Sequence, residues 1–169
     1  QEMSRGLGDV YKRQEHVWRV LGLESSCDDT AASVLKIVDN NKEKKVEILS
    51  SIVFNQNKLH VNFNGVVPEI AARAHCEKID ICTKEALNKA SLSIKDIDLI
   101  SVTSGPGLIG GLLSGVMFAK GLARGLKIPL IGVNHLAAHC FSVKIFHKIN
   151  FPYLTSVSYT HLTLPTNSG

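Results

Sequence analysis

The chain reads as a mixed α/β sheet with helices covering its faces, and two observations carry that expectation. Three apolar strand candidates come first, and a helix-strand-helix-strand-helix alternation follows them. Hairpins followed by crossovers imply a sheet with both antiparallel and parallel pairs. Residues 17–23 and 31–38 are apolar runs separated by the polar turn Glu24-Ser25-Ser26-Cys27-Asp28-Asp29-Thr30, and a third run spans 46–54 after a Lys/Asn-rich hairpin. Pro68 suits the first position of a helix, where its missing N–H costs nothing; Glu69 suits the positive first turn, and helix formers continue to about residue 90. Strand 98–103 leads through a Gly/Pro turn into a helix with Ile109, Leu112, Leu113, Val116, Ala119 and Ala123 on one stripe. Strand 129–133 and a helix that opens beside Asn134 complete the pattern.

Composition sets the bounds on function. With 169 residues, 44% hydrophobic and 20% charged, the chain has the makings of a soluble domain with a real core, or of a piece of one. A formal charge of +4 is modest, and the cluster Lys42, Lys44, Lys45 fits a solvated turn better than a nucleic-acid contact, which leaves an RNA partner open. Cys27, Cys76, Cys82 and Cys140 form no C-x-x-C pair, so reduced thiols in a cytosol or organelle matrix are expected rather than a disulfide framework or zinc ribbon. Residues 99–119 carry no charge, yet Ser104-Gly105-Pro106-Gly107 breaks the run, and no apolar core of a signal peptide precedes it, so no membrane is expected.

The most informative stretch is Asn134-His135-Leu136-Ala137-Ala138-His139. With Asn134 as N-cap, the two imidazoles share one face of a helix's first turn. The positive helix end disfavours imidazolium and keeps the rings neutral, as ligation of a metal requires; neutral imidazole suits zinc and iron equally. A partly buried loop histidine beside an ordinary helix histidine has the same spacing. Parallel strands would bring this helix and the loop from Ser104 to Gly111 to one crevice, where Gly105, Gly107, Gly110 and Gly111 allow a tight turn and the next helix offers free N–H groups to a phosphate or carboxylate. Close helix-sheet packing is the competing explanation for those glycines. The loop is no P-loop, since a G-K-[ST] ending is absent. Glu24, Asp28 and Asp29 can hold a cation or raise one another's pKa, while Ser25, Ser26 and Thr30 can bond a phosphate. A plain Asp/Ser hairpin turn looks the same, and composition alone favours it.

Four motifs in order carry a family resemblance: Val20-Leu-Gly-Leu-Glu-Ser-Ser-Cys-Asp-Asp-Thr30; Leu59-His60 followed by Gly65-Val-Val-Pro-Glu-Ile-Ala-Ala-Arg-Ala-His75; Ser104-Gly-Pro-Gly-Leu108; and Asn134-His-Leu-Ala-Ala-His139. Over about residues 17–154 the chain resembles the TsaD/Kae/OSGEP family, the tRNA N6-adenosine threonylcarbamoyltransferases once called glycoproteases. The resemblance implies an ASKHA (actin/sugar kinase/Hsp70-like) domain. It also implies transfer of the threonylcarbamoyl group from threonylcarbamoyl-AMP to N6 of the adenosine beside the anticodon. His135 and His139 match the family's metal ligands, for one divalent ion, iron (Fe2+) favoured over zinc, which would polarise the threonylcarbamoyl group. Asp28, Asp29 and Thr30 occupy the acidic active-site turn and would orient the ligand or help move a proton; Ser104, Gly105, Gly107 and Gly110 form the candidate ligand loop. Glu69, Arg73 and His75 match a signature on the long helix, and a salt-bridged structural face is the preferred reading of them. Implied partners are tRNA, threonylcarbamoyl-AMP and, in a bacterium, TsaB- and TsaE-like proteins, in the cytoplasm or alternatively a mitochondrion.

Departures from the family matter too. Family proteins are about twice this length, and a further metal-binding aspartate belongs to the part without a counterpart here. After Leu154 no Ser-Gly-Gly-His-Thr loop follows, so residues 1–16 and 155–169 are expected to be non-native tails around an N-terminal subdomain at 17–154. Asn64 stands where the family often has glycine. A metallopeptidase fits poorly, because Ala137-Ala138 offers no glutamate base of the H-E-x-x-H type. A non-catalytic ASKHA partner subunit is the other alternative, for which the histidine pair is unexpected. The chain on its own is expected to bind metal weakly, to fold marginally and to show no turnover.

Overall fold

A computed structural model describes residues 16–40 and 43–156. Both expected tails therefore fall almost wholly outside the described residues. Strands β1 (His16–Glu24), β2 (Asp29–Asp39) and β3 (Lys44–Asn55) are followed by a short helix α1 (Asn57–His60), a 3-10 turn, helix α2 (Pro68–Lys89), strand β4 (Leu99–Gly105), helix α3 (Ile109–Leu126), strand β5 (Leu130–Asn134) and helix α4 (His135–Phe146). Every long element lies where periodicity places it. The turn α1 and its 3-10 continuation were not expected, being too short for a hydrophobic period to register.

The five strands form one sheet in the order β3-β2-β1-β4-β5. β1 pairs antiparallel with β2, and β2 with β3, whereas β1–β4 and β4–β5 are parallel. The mixed sheet thus follows from hairpins at the start and helical crossovers later. Leu21 faces Val34 on one side and Ile100 on the other, and all three are fully buried. Ile79, Cys82 and Ala86 of α2 and Ala119 and Ala123 of α3 complete this core, so both helices cover one face of the sheet. α4 begins at the opposite face, where Ala138 lines a cleft with Thr103 and Val133.

The buried stripe of α3 differs from the expected one. Ile109 and Leu113 are 72% and 54% exposed, and the inward face consists of Gly111, Leu112, Gly115, Ala119 and Ala123. Size decides this: a Cβ on Gly110 would lie 2.8 Å from Ala72 of α2, and one on Gly115 would lie 2.2 Å from the Ser25 hydroxyl. Helix and sheet approach too closely for branched side chains. Asn64 adopts φ 52°, the left-handed region that asparagine tolerates best after glycine, which accounts for asparagine where the family often has glycine.

Candidate metal centre and active-site edge

β1, β4 and β5 run in the same direction, so their carboxyl ends share one edge of the sheet. Glu24 ends β1, Ser104 and Gly105 end β4, and His135 follows β5. Asn134 caps α4 as expected, its Oδ1 accepting the Ala137 N–H at 3.0 Å. The cap fixes where the helix starts, and one turn then stacks the histidines: His135 Nε2 and His139 Nε2 face each other at 3.1 Å, with the rings crossed at 86°.

His135 is held from behind. Its Nδ1 lies 3.3 Å from Glu24 Oε2 and 3.1 Å from Ser26 Oγ. Glu24 accepts from the Ser26 N–H at 2.5 Å and from the Thr103 hydroxyl at 2.5 Å. Burial pushes the Glu24 carboxyl up, but the hydrogen bonds from Ser26, Thr103 and His135 outweigh it and hold the group below its ordinary value. Glu24 is therefore a carboxylate at neutral pH. This donor set fits a divalent cation: two imidazole nitrogens converge on one point, and one ring has its far nitrogen fixed by an anion, the usual support of a metal-bound histidine. Among the described residues no group of three or more His, Cys, Asp or Glu is gathered for a metal; the pair brings two imidazole nitrogens together.

The acidic turn looks elsewhere. Asp29 Oδ1 accepts from Asn55 Nδ2 at 2.8 Å, and Asp28 lines a second cavity with Asn57, His60 and Asn64. Burial first, and the Asp28 charge second, raise the Asp29 carboxyl above its ordinary value. Cys27, just before them, is pushed up to about 11, by burial and then by Asp28, so it is no thiolate nucleophile. Thr30 is fully buried, its hydroxyl 2.8 Å from His75 Nδ1, and thus supports the turn from inside.

The salt-bridged face expected of Glu69, Arg73 and His75 does not form. Among the described residues no ion pair joins Glu69 or Arg73, which are exposed, whereas His75 is fully buried. Its Nε2 donates to the Cys27 carbonyl at 3.1 Å, leaving Nδ1 to accept from the Thr30 hydroxyl, with Gln56 Nε2 3.4 Å away. The reason is register on the helix: His75 lies one residue past Ala74 and four past Ala71, both buried, so it points inward. Sequence reasoning missed Gln56 and Thr103 altogether, and it grouped Glu24 with Asp28 and Asp29 rather than with His135. The parallel β1–β4–β5 order was the one clue that Glu24 and His135 lie at the same edge of the sheet, on either side of the end of β4.

The glycine loop is packed against the first turn. The Leu108 N–H donates to the Ser26 carbonyl at 2.7 Å, and a Cβ on Gly107 or Gly111 would lie 2.6 Å from Ser26 O or 2.3 Å from Ser25 O. Close packing thus accounts for Gly107, Gly110 and Gly111. Gly105, with φ 147°, and the exposed Ser104 form the outer end of the loop.

Comparison with known proteins decides the family. The family model described as TsaD, tRNA N6-adenosine threonylcarbamoyltransferase, matches residues 47–161. The chain belongs to the TsaD family. That match runs into the segment expected to be a foreign tail. A tRNA N6-adenosine threonylcarbamoyltransferase of Ruegeria sp. (strain TM1040) is 57% identical over 135 residues, 80% of this chain and 36% of the relative. One from Cereibacter sphaeroides (strain ATCC 17025) is 55% identical over 139 residues, 82% of this chain and 37% of the relative. The chain therefore spans little more than a third of the length of these TsaD relatives. Among solved structures, a Pseudomonas aeruginosa protein described as similar to peptidase YEAZ has TM-score 0.53 at 19% identity, covering 74% of this chain and 48% of that one. YeaZ from the same organism has TM-score 0.51 at 16% identity, covering 75% and 50%. At such identities the likeness shows the fold, which is of the ASKHA type.

Proposed function

We propose that this chain is part of a tRNA N6-adenosine threonylcarbamoyltransferase and carries one half of its metal site. The observation that supports the reading is the pair His135 Nε2 and His139 Nε2, 3.1 Å apart at the carboxyl edge of the sheet, in a chain of the TsaD family. A divalent cation, iron(II) by the family resemblance rather than zinc, supplies Lewis acidity to the carbonyl of the threonylcarbamoyl group when bound there. In the transfer, a bond forms between adenine N6 and the carbamoyl carbon, the bond from that carbon to the AMP phosphate oxygen breaks, and a proton leaves N6. Ser104 and Gly105, at the outer end of the glycine loop, are offered to the AMP portion.

Substrates are tRNA and threonylcarbamoyl-AMP, and TsaB- and TsaE-like proteins are the proposed partners. No helix of the described residues is long and apolar enough to cross a membrane, which agrees with a cytoplasmic setting or, alternatively, a mitochondrial one. A non-catalytic ASKHA subunit would share the fold but has no use for the histidine pair.

The test is His135→Ala in a full-length TsaD-family protein carrying these motifs. Loss of bound iron together with loss of threonylcarbamoyladenosine in tRNA, measured by elemental analysis and nucleoside mass spectrometry, is the expected result. Unchanged metal content overturns the assignment.

A further inference from the structure

We infer that Glu24 is a positioning residue that holds His135 in its Nδ1–H form, so that Nε2 is presented as the ligand atom beside His139. The inference rests on the metal reading for its purpose, but its physical content concerns only residues of this chain.

The argument is one of donors and acceptors. Glu24 Oε2 lies 3.3 Å from His135 Nδ1, and the same carboxylate already takes the Ser26 N–H on Oε1 and the Thr103 hydroxyl on Oε2. A carboxylate with those two donors has no proton to give, so the proton between Glu24 and His135 belongs to Nδ1. Ser26 Oγ, 3.1 Å from the same nitrogen, accepts in the same direction. The alternative tautomer would set a nitrogen lone pair against a partly buried anion.

The clamp has little freedom. Thr103 is buried in β4, and Ser26 is anchored where its carbonyl accepts the Leu108 N–H at 2.7 Å. Three chain segments, at the ends of β1 and β4 and at the start of α4, thus converge on one imidazole. A ring fixed in this way is aimed with Nε2 toward His139, which is how an outer carboxylate orients a histidine ligand.

The experiment uses the 169-residue chain with 15N-labelled histidine. Long-range 1H–15N spectra read the His135 tautomer without metal, and titration with zinc chloride then reads affinity. Expected are the Nδ1–H form in the wild type, a shift toward Nε2–H in Glu24→Gln, whose amide can donate to Nδ1, and a roughly 10- to 100-fold weaker zinc affinity in that variant. Thr103→Val, which loosens the carboxylate, shifts both readouts the same way by less, and it carries the test if Glu24→Gln does not fold. An Nε2–H tautomer in the wild type, or one tautomer unchanged in both variants, overturns the inference. If the tautomers behave as stated but zinc affinity is the same in wild type and Glu24→Gln, the link from tautomer to metal binding is overturned and the positioning of His135 stands.

Discussion

His75 shows how one buried side chain can tie the acidic turn to the core. It receives the Thr30 hydroxyl, donates to the Cys27 carbonyl, and sits beside Gln56, whose Oε1 is 3.4 Å from His60 Nε2. Burial holds its pKa below the ordinary 6.5, against the raising effect of the Cys27 carbonyl and the charges of Glu24, Asp28 and Asp29. The unfolded chain therefore takes up the proton first as pH falls. Stability carried by neutral His75 is present above 6.5 and is lost as pH drops from there toward the lower folded value. Urea midpoints followed from pH 7.5 to 5.5 should fall, and His75→Leu should flatten that slope while lowering stability at pH 7.5 by about 1–3 kcal/mol, because Thr30 and Gln56 lose a buried partner. A slope unchanged by His75→Leu refutes the assignment. Loss of stability carried by Glu24 belongs to a different range, below its ordinary value of 4.5, so the two effects separate along the pH axis.

At the scale of the element, α3 shows what the sequence makes legible and what it hides. Its start after Gly107 and its apolar content are visible in the one-dimensional pattern, but the face it buries is not. The periodic positions Ile109 and Leu113 lose to Gly111 and Gly115 because the carbonyl and the hydroxyl of Ser25 come within reach of where a Cβ would sit. That distance is a tertiary quantity, and no period encodes it. α4 is the opposite case: an asparagine N-cap and an i, i+4 histidine pair are local, so the sequence suffices for their geometry. Glu24 was read as part of its own turn because its partner is 111 residues away, across two parallel strands. The contrast within α3 can be measured. Gly111→Ala places a methyl 2.3 Å from Ser25 O and should cost about 1–3 kcal/mol. Gly121→Ala, with nothing within 4 Å, should instead stabilise by about 0.5–1 kcal/mol through helix propensity. Chemical denaturation of the two variants should move in opposite directions; a common sign would mean that α3 does not pack as described.

The whole molecule presents one covered and one largely bare sheet face. On the side away from α2 and α3, Trp18, Val53 and Ile131 are 44%, 60% and 50% exposed, and the helix α4 buries none of its residues although most of them are apolar. The relatives it matches are a little over twice as long as this chain, so most of a full-length family protein lies outside the comparison. Among the described residues the two imidazoles have no gathered third ligand, and such a pair should bind a cation weakly, since closed or catalytic sites take three or four protein donors. Weak binding and an uncovered face point the same way for activity. The 169-residue chain, supplied with threonylcarbamoyl-AMP, substrate tRNA, iron(II) and TsaB- and TsaE-like proteins, should form no threonylcarbamoyladenosine detectable by nucleoside mass spectrometry. A full-length TsaD-family protein in the same assay should form it, and should lose it on mutation of either histidine. Turnover by the short chain would show that His135, His139 and the Glu24 clamp suffice for the site, and that the rest of the family's length serves another purpose.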